Sequence, residues 1–105
     1  MQGYQITFFT QQDRKHGHEP LAQWLMASAR QLGIGGATLS ASAQGFGHHG
    51  HLHSAHFFDL ADQPLEITMA LGADDAERLF ALLKAENVQV FYVKSQIEFG
   101  MLGED

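Results

Sequence analysis

The chain has no cysteine, two prolines and one tryptophan among 105 residues, and six lysines and arginines against twelve aspartates and glutamates. Without a thiol, disulfides, thiolate catalysis and cysteine-ligated zinc are excluded. A formal charge of −6 opposes general duplex nucleic-acid binding, which needs clustered cations against the phosphates. No apolar run approaches the roughly 20 residues that span a bilayer. The start, Met1-Gln2-Gly3-Tyr4-Gln5, has neither the basic flank nor the apolar core of a secretion signal. These absences predict a soluble, cytoplasmic protein that leaves nucleic acid alone.

What is abundant is phenylalanine, glycine and histidine, at 8, 11 and 7 residues, within a hydrophobic content of 45%. Residues 1–105 read as a single small domain, able to bury roughly 60 to 68% of its unfolded surface. An apolar excess in so short a chain also suits a subunit that hides surface against copies of itself.

Tyr4 to Thr10 alternates aromatic and β-branched residues, with Tyr4, Ile6 and Phe8 on one face, and predicts a strand. Pro20 suits a first helical position. Leu21, Trp24, Leu25, Ser28 and Leu32 then recur at helical spacing, Trp24 as a core residue, and Gly33 is placed to end the helix. After Gly35-Gly36, an extended segment is expected from Ala37 to Gln44, with strands again from Ala55 to Leu60 and from Leu65 to Leu71. Asp74 is expected to cap a second helix with Glu77 three residues on, its buried stripe being Leu79, Phe80, Leu82 and Leu83. Val88 to Val93 predicts the last strand, and residues 100–105 form a polar tail. The order strand, helix, strand, strand, helix, strand is that of an α+β, ferredoxin-like βαββαβ sandwich with a four-stranded antiparallel sheet.

That topology gathers three connections at one end: the loop after the first strand, the hairpin after the second, and the turn after the second helix. Arg14, Lys15, His16 and His18 belong to the first of these and should lie near Asn87 of the third. The second holds five of the seven histidines, within residues 48–56, and residues 44–58 contain no Asp, Glu, Lys or Arg. An end that collects these cations and imidazoles is a natural anion site. Between roughly pH 7.5 and 5.5 the loop is expected to gain up to about five positive charges, changing its affinity for anions or acidic partners.

Two readings of the histidines stand side by side. In an extended segment His51 and His53 project to one side, about 6 to 7 Å apart, and with His56 they form a candidate site for zinc, nickel or copper. In the other reading the loop histidines, His48 and His49 among them, meet an anion or a partner protein, with Arg14, Lys15 and His16 of the first loop contacting phosphate. Arg14 supplies a planar fork of donors and Lys15 a point charge. Ser54 lies between histidines, yet no orienting acid or nucleophile elbow accompanies it, and no catalytic residue is assigned.

The spaced combination Arg14-Lys15-His16-Gly17-His18-Glu19-Pro20-Leu21, Ala29-Arg30, Gly33-Ile34-Gly35-Gly36-Ala37-Thr38-Leu39, Gly45-Phe46-Gly47, Leu52-His53-Ser54-Ala55 and Pro64-Leu65-Glu66-Ile67 resembles the PII-like family catalogued as domain of unknown function 190. The resemblance covers essentially the whole chain. It implies a non-enzymatic signalling protein, a homotrimer with adenine nucleotides (AMP, ADP or ATP) in clefts between subunits. It also implies that Gly45-Phe46-Gly47, followed here by His48-His49, presents backbone amides near the phosphates, and that a flexible loop, here about residues 47–56, touches a partner such as a membrane transporter. The chain departs from the wider pattern in three places. Ala41-Ser42 stands where many members carry Arg-Gly, Glu86-Asn87-Val88 replaces a glycine-lysine phosphate loop, and no tyrosine lies between Tyr4 and Tyr92. A mono- or diphosphate, or another small anion, needs less charge than a triphosphate and suits these losses better.

Overall fold

A computed structural model of the chain describes residues 1–41, 45–46, 52–53 and 63–103, the two short pairs by their backbone alone. The first strand, β1 (Gln2–Gln11), alternates as its sequence dictates: Ile6, Phe8 and Thr10 are buried while Gln5, Thr7 and Phe9 face the other way. It leads into a two-residue-stranded hairpin, β2 (Lys15–His16) and β3 (Glu19–Pro20), turned at Gly17 with φ 65°. The helix α1 (Leu21–Gln31) follows directly, with Pro20 as its N-cap, one position earlier than its expected place inside the first turn. Then come β4 (Ala37–Ala41), the short antiparallel pair β5 (Gly45–Phe46) and β6 (Leu52–His53), β7 (Pro64–Gly72), α2 (Ala73–Ala85) and β8 (Phe91–Glu98).

The main sheet runs β4-β7-β1-β8, every neighbouring pair antiparallel, which is the ferredoxin-like order. Register places Ile6 opposite Met69 and Phe8 opposite Ile67, so the apolar positions of β1 and β7 share one face. Both helices cover that face. Leu21, Leu25 and Ala29 of α1 and Ala76, Leu79 and Leu83 of α2 complete one core, with Phe8 meeting Phe80 edge-on at 6.2 Å between ring centres. Each such leucine, fully buried, contributes roughly 1.5–3 kcal/mol. On the opposite face the Thr7 and Thr68 hydroxyls pair at 3.1 Å. Among the described residues no helix is long and apolar enough to cross a membrane.

Both helices end in the same way. In α1, Gly33 sits at φ 82° while its N–H donates to the Arg30 carbonyl and the Ile34 N–H to that of Ala29, each at 3.0 Å. In α2, Asn87 at φ 56° donates to the Lys84 carbonyl at 3.1 Å, and Val88 to that of Leu83 at 3.0 Å. This paired pattern is the Schellman motif, which needs one left-handed residue just past the helix. Gly33→Ala is expected to cost about 1–2 kcal/mol because a Cβ strains that conformation, whereas Asn87→Gly should gain up to about 1 kcal/mol. Urea unfolding of the two variants checks the opposite signs. The α1 terminus is held further by Arg78, whose Nη2 donates to the Leu32 carbonyl at 2.9 Å while Nη1 pairs with Asp75 at 2.9 Å.

Two expectations change. Asp74 does not cap α2: the N-cap is Gly72, without a side-chain hydrogen bond, because β7 passes straight into the helix and leaves no loop residue to turn back. Asp74 and Asp75 lie in the first turn instead, where carboxylates oppose the positive helix end. The last strand begins at Phe91, not Val88, and continues to Glu98. Val88 and Val90 are apolar because they pack, half-buried, on the core after the helix end. The second strand is described as far as Ala41, and the expected strand from Ala55 to Leu60 lies outside the described residues. At the far end of β1, the Met1 ammonium donates to the Phe99 carbonyl at 3.0 Å and the Phe99 N–H to the Met1 carbonyl at 2.9 Å.

Candidate functional site

The chain leaves β1 through a tightly bonded turn. The Gln12 N–H donates to the Gln63 carbonyl at 2.9 Å, the Arg14 N–H to Gln11 at 3.2 Å, and the Leu21 N–H to the Arg14 carbonyl at 2.8 Å. The last bond closes the β2–β3 hairpin and fixes the backbone of Arg14 against the start of α1. With that backbone held, the two side chains on either side of Lys15 reach across to the segment between α2 and β8. Arg14 Nη2 donates to the Gln89 carbonyl. His16 donates from Nε2 to Glu86 Oε1 at 3.1 Å and packs against Trp24, ring centres 4.3 Å apart and planes tilted by 48°. Trp24 therefore serves the core and the site together, half-buried with one face spent on an imidazole.

The electrostatics of this junction are close to balanced. Arg14 and Lys15 are offset by Asp13, Glu19 and Glu86 in the same hairpin and turn. Among the described residues, one of the five guanidinium N–H groups of Arg14 is engaged, with Gln89, and the others face no acceptor there. Lys15 is exposed, and among the described residues no hydrogen bond or ion pair holds its ammonium. Such a field favours ligands of low charge, since each further negative charge meets a carboxylate as well as a cation. The Thr10 hydroxyl, buried at this end of β1, has no hydrogen-bond partner among the described residues.

The glycine segment comes to the same end. Register sets Ala41 opposite Leu65 and Leu65 opposite Thr10, so the end of β4 is two strands away from the end of β1. Four residues of chain confine Gly45 to within about 14 Å of Ala41. There Gly45 pairs with His53 and Phe46 with Leu52.

The fold thus brings Arg14, Lys15 and His16 to the α2–β8 connection, as the topology required, with exposed His18 at the hairpin turn. Gly47, His48 and His49 lie outside the described residues, as do His51 and His56 of the metal reading, while His53 is described by its backbone alone. Among the described residues no three histidine or acidic side chains converge to hold a metal ion. Sequence reasoning missed Glu86 and Gln89 as the partners of His16 and Arg14. For Glu86 there was a signal, an acid in a turn that the topology sets beside a basic loop. For Gln89 there was none, since its contribution is a main-chain carbonyl.

The model of the DUF190 family, described as Uncharacterized ACR, matches residues 3–97. No curated protein matches the chain. Among solved structures, similarity is found to CPII of Thiomonas intermedia K12, a nitrogen regulatory PII-like protein, bound to ADP, AMP and bicarbonate. It has TM-score 0.70 and 16% identity, over 96% of this chain and 91% of that one. The same protein bound to ADP, AMP and acetate gives TM-score 0.64 and 15% identity over 95% and 90%. A PII-like signalling protein of Thermus thermophilus gives TM-score 0.66 and 14% identity over 92% and 88%. At these identities the likeness is one of fold.

Proposed function

The chain belongs to the DUF190 family, and from that membership we propose that it is a PII-like regulatory protein that binds an adenine nucleotide or a similar small anion and reports occupancy to a partner. The observation that carries this reading is the reach of Arg14 to Gln89 and of His16 to Glu86, which locks a basic hairpin onto the α2–β8 connection at the end where Gly45 enters. In this reading the backbone amides of Gly45, Phe46 and Gly47 and the side chains of Arg14 and Lys15 hold the anionic group. His16 positions the hairpin, and His48 and His49 follow the cradle.

The near-balanced charge favours AMP or ADP over ATP, and bicarbonate or acetate accompanies those nucleotides in the CPII structures. The site is proposed to lie in clefts of a homotrimer. In support, among the described residues no further strand pairs with the edges β4 and β8, and beside Gln89 the strand β8 exposes Phe91, Tyr92 and Val93 at 51%, 48% and 51%. Loop 47–56 is then the surface offered to a partner protein, a membrane transporter being one kind. The role is regulatory rather than catalytic.

Thermal unfolding with AMP, ADP and ATP tests the proposal. The better nucleotide, at about 100 times its dissociation constant, should stabilise the protein by about 2.7 kcal/mol. AMP or ADP should exceed ATP. An unchanged transition with all three at millimolar concentration removes the nucleotide from the proposal.

A further inference from the structure

A second set of chemistry-bearing side chains lies away from the hairpin, along the outer flank of α2. Ala73, Ala76, Glu77, Phe80, Ala81 and Lys84 fall on one helical stripe, about 16 Å long over three turns. With Tyr4 and Lys94 from the sheet they line a groove of about 420 Å³. Lys94 is on β8 opposite Ile6, so it projects to the helix side. Its Nζ lies 4.3 Å from the centre of the Tyr4 ring and 5.4 Å from that of Phe80, and Phe80 in turn packs on Tyr92 at 4.9 Å. Two rings therefore hold this ammonium in place, which removes part of the entropy a free lysine loses on binding.

The charge inventory singles the groove out. Of the six lysines and arginines, Arg14 and Arg78 have partners. Two of the other four, Lys84 and Lys94, line this one groove, and neither ammonium has a hydrogen-bond or ion-pair partner among the described residues. Glu77 is the single carboxylate in the lining and lies two turns before Lys84, toward the α2 N-terminus. The half of the groove toward Lys84 is thus cationic, while alanines at 73, 76 and 81 add little bulk to its lining and Tyr4 and Phe80 supply its aromatic part.

We propose that this groove binds an aromatic carboxylate, its acid group between Lys84 and Lys94 and its ring against Tyr4 and Phe80. The site is separate from the Arg14 junction and stands whether or not that junction binds a nucleotide. The volume is within the 300–1,000 Å³ usual for small-molecule sites, and a lining that combines two aromatic rings, three alanines and two lysines matches a flat body with one charged end.

The test is a titration of the full, ¹⁵N-labelled chain with nicotinate, with nicotinamide as its uncharged counterpart and cyclohexanecarboxylate as a non-aromatic acid. Nicotinate should give saturable amide shifts at Ala81, Lys84 and Lys94 in the millimolar range, and the two controls should bind at least about fivefold more weakly. Lys94→Gln and, separately, Lys84→Gln should each weaken nicotinate about tenfold. Unmoved amide positions elsewhere in each variant's spectrum report an intact fold. The proposal is overturned by an absence of saturable shifts, by equal binding of nicotinamide, by full affinity in both variants, or by shifts confined to Arg14 and Gln89.

Discussion

Gly3→Ala should lower the stability of this small protein by about 2–3 kcal/mol, about 10–20 °C in melting temperature. Gly3 is buried within β1, between Gly72 of β7 and Ile97 of β8. A Cβ built on it would run into the Leu71 carbonyl oxygen and stand 2.9 Å from the Gly72 Cα. Both obstacles are main chain, so no rotamer change relieves them. The strand must shift, and the Tyr4–Leu71 register that positions the apolar face shifts with it. Gly36→Ala is the matched control, since nothing lies within 4 Å of its added carbon, and it should change stability by no more than about 0.5 kcal/mol. Calorimetry on both decides the matter: similar melting temperatures would mean that β7 yields easily and that Gly3 is dispensable.

Arg14→Met should weaken binding of the preferred nucleotide about 10- to 100-fold, because a charge-assisted hydrogen bond is worth about 1.5–3 kcal/mol. Two losses add here. The guanidinium no longer offers its remaining donors to the anion, and the hairpin is no longer pinned to Gln89. Stability should fall by less than about 1 kcal/mol, since the groups involved are near the surface and water can replace the arginine on the Gln89 carbonyl. Lys15→Met, which removes an exposed point charge, should cost less affinity than Arg14→Met and flatten the salt dependence. Isothermal titration of the two variants separates the roles. Unaltered affinity with lowered stability would reduce Arg14 to a structural tie.

The parts of the fold that could be read from sequence are those in which one face is buried and the other is not. From Tyr4 to Gln11 of β1 and throughout β7 the period of two is unbroken, and in α1 the run Leu21, Leu25, Ala29 leaves little choice. The end of α1 was equally plain, because Gly33 is the residue type its geometry demands. β8 was misplaced because it is an edge strand with six exposed residues in succession, so its Lys94-Ser95-Gln96 stretch carries no apolar signature. The α2 cap was misread because Asp74-Asp75 is an N-terminal signature that serves the helix dipole equally well from within the first turn. The gathering of Arg14, Lys15 and His16 at the α2–β8 connection followed from topology alone. The particular bonds did not, since Glu86 and Gln89 are set by where the left-handed Asn87 turns the chain.

The clasp between Met1 and Phe99 has a practical side. Because β1 and β8 are neighbours, the start of β1 and the end of β8 lie together at one end of the strands, joined by reciprocal main-chain bonds. Ten residues of β1, about 30 Å of extended chain, separate that end from the hairpin. A fluorophore or surface tether attached beside Met1 or Phe99 therefore rides on the pole opposite the Arg14 junction.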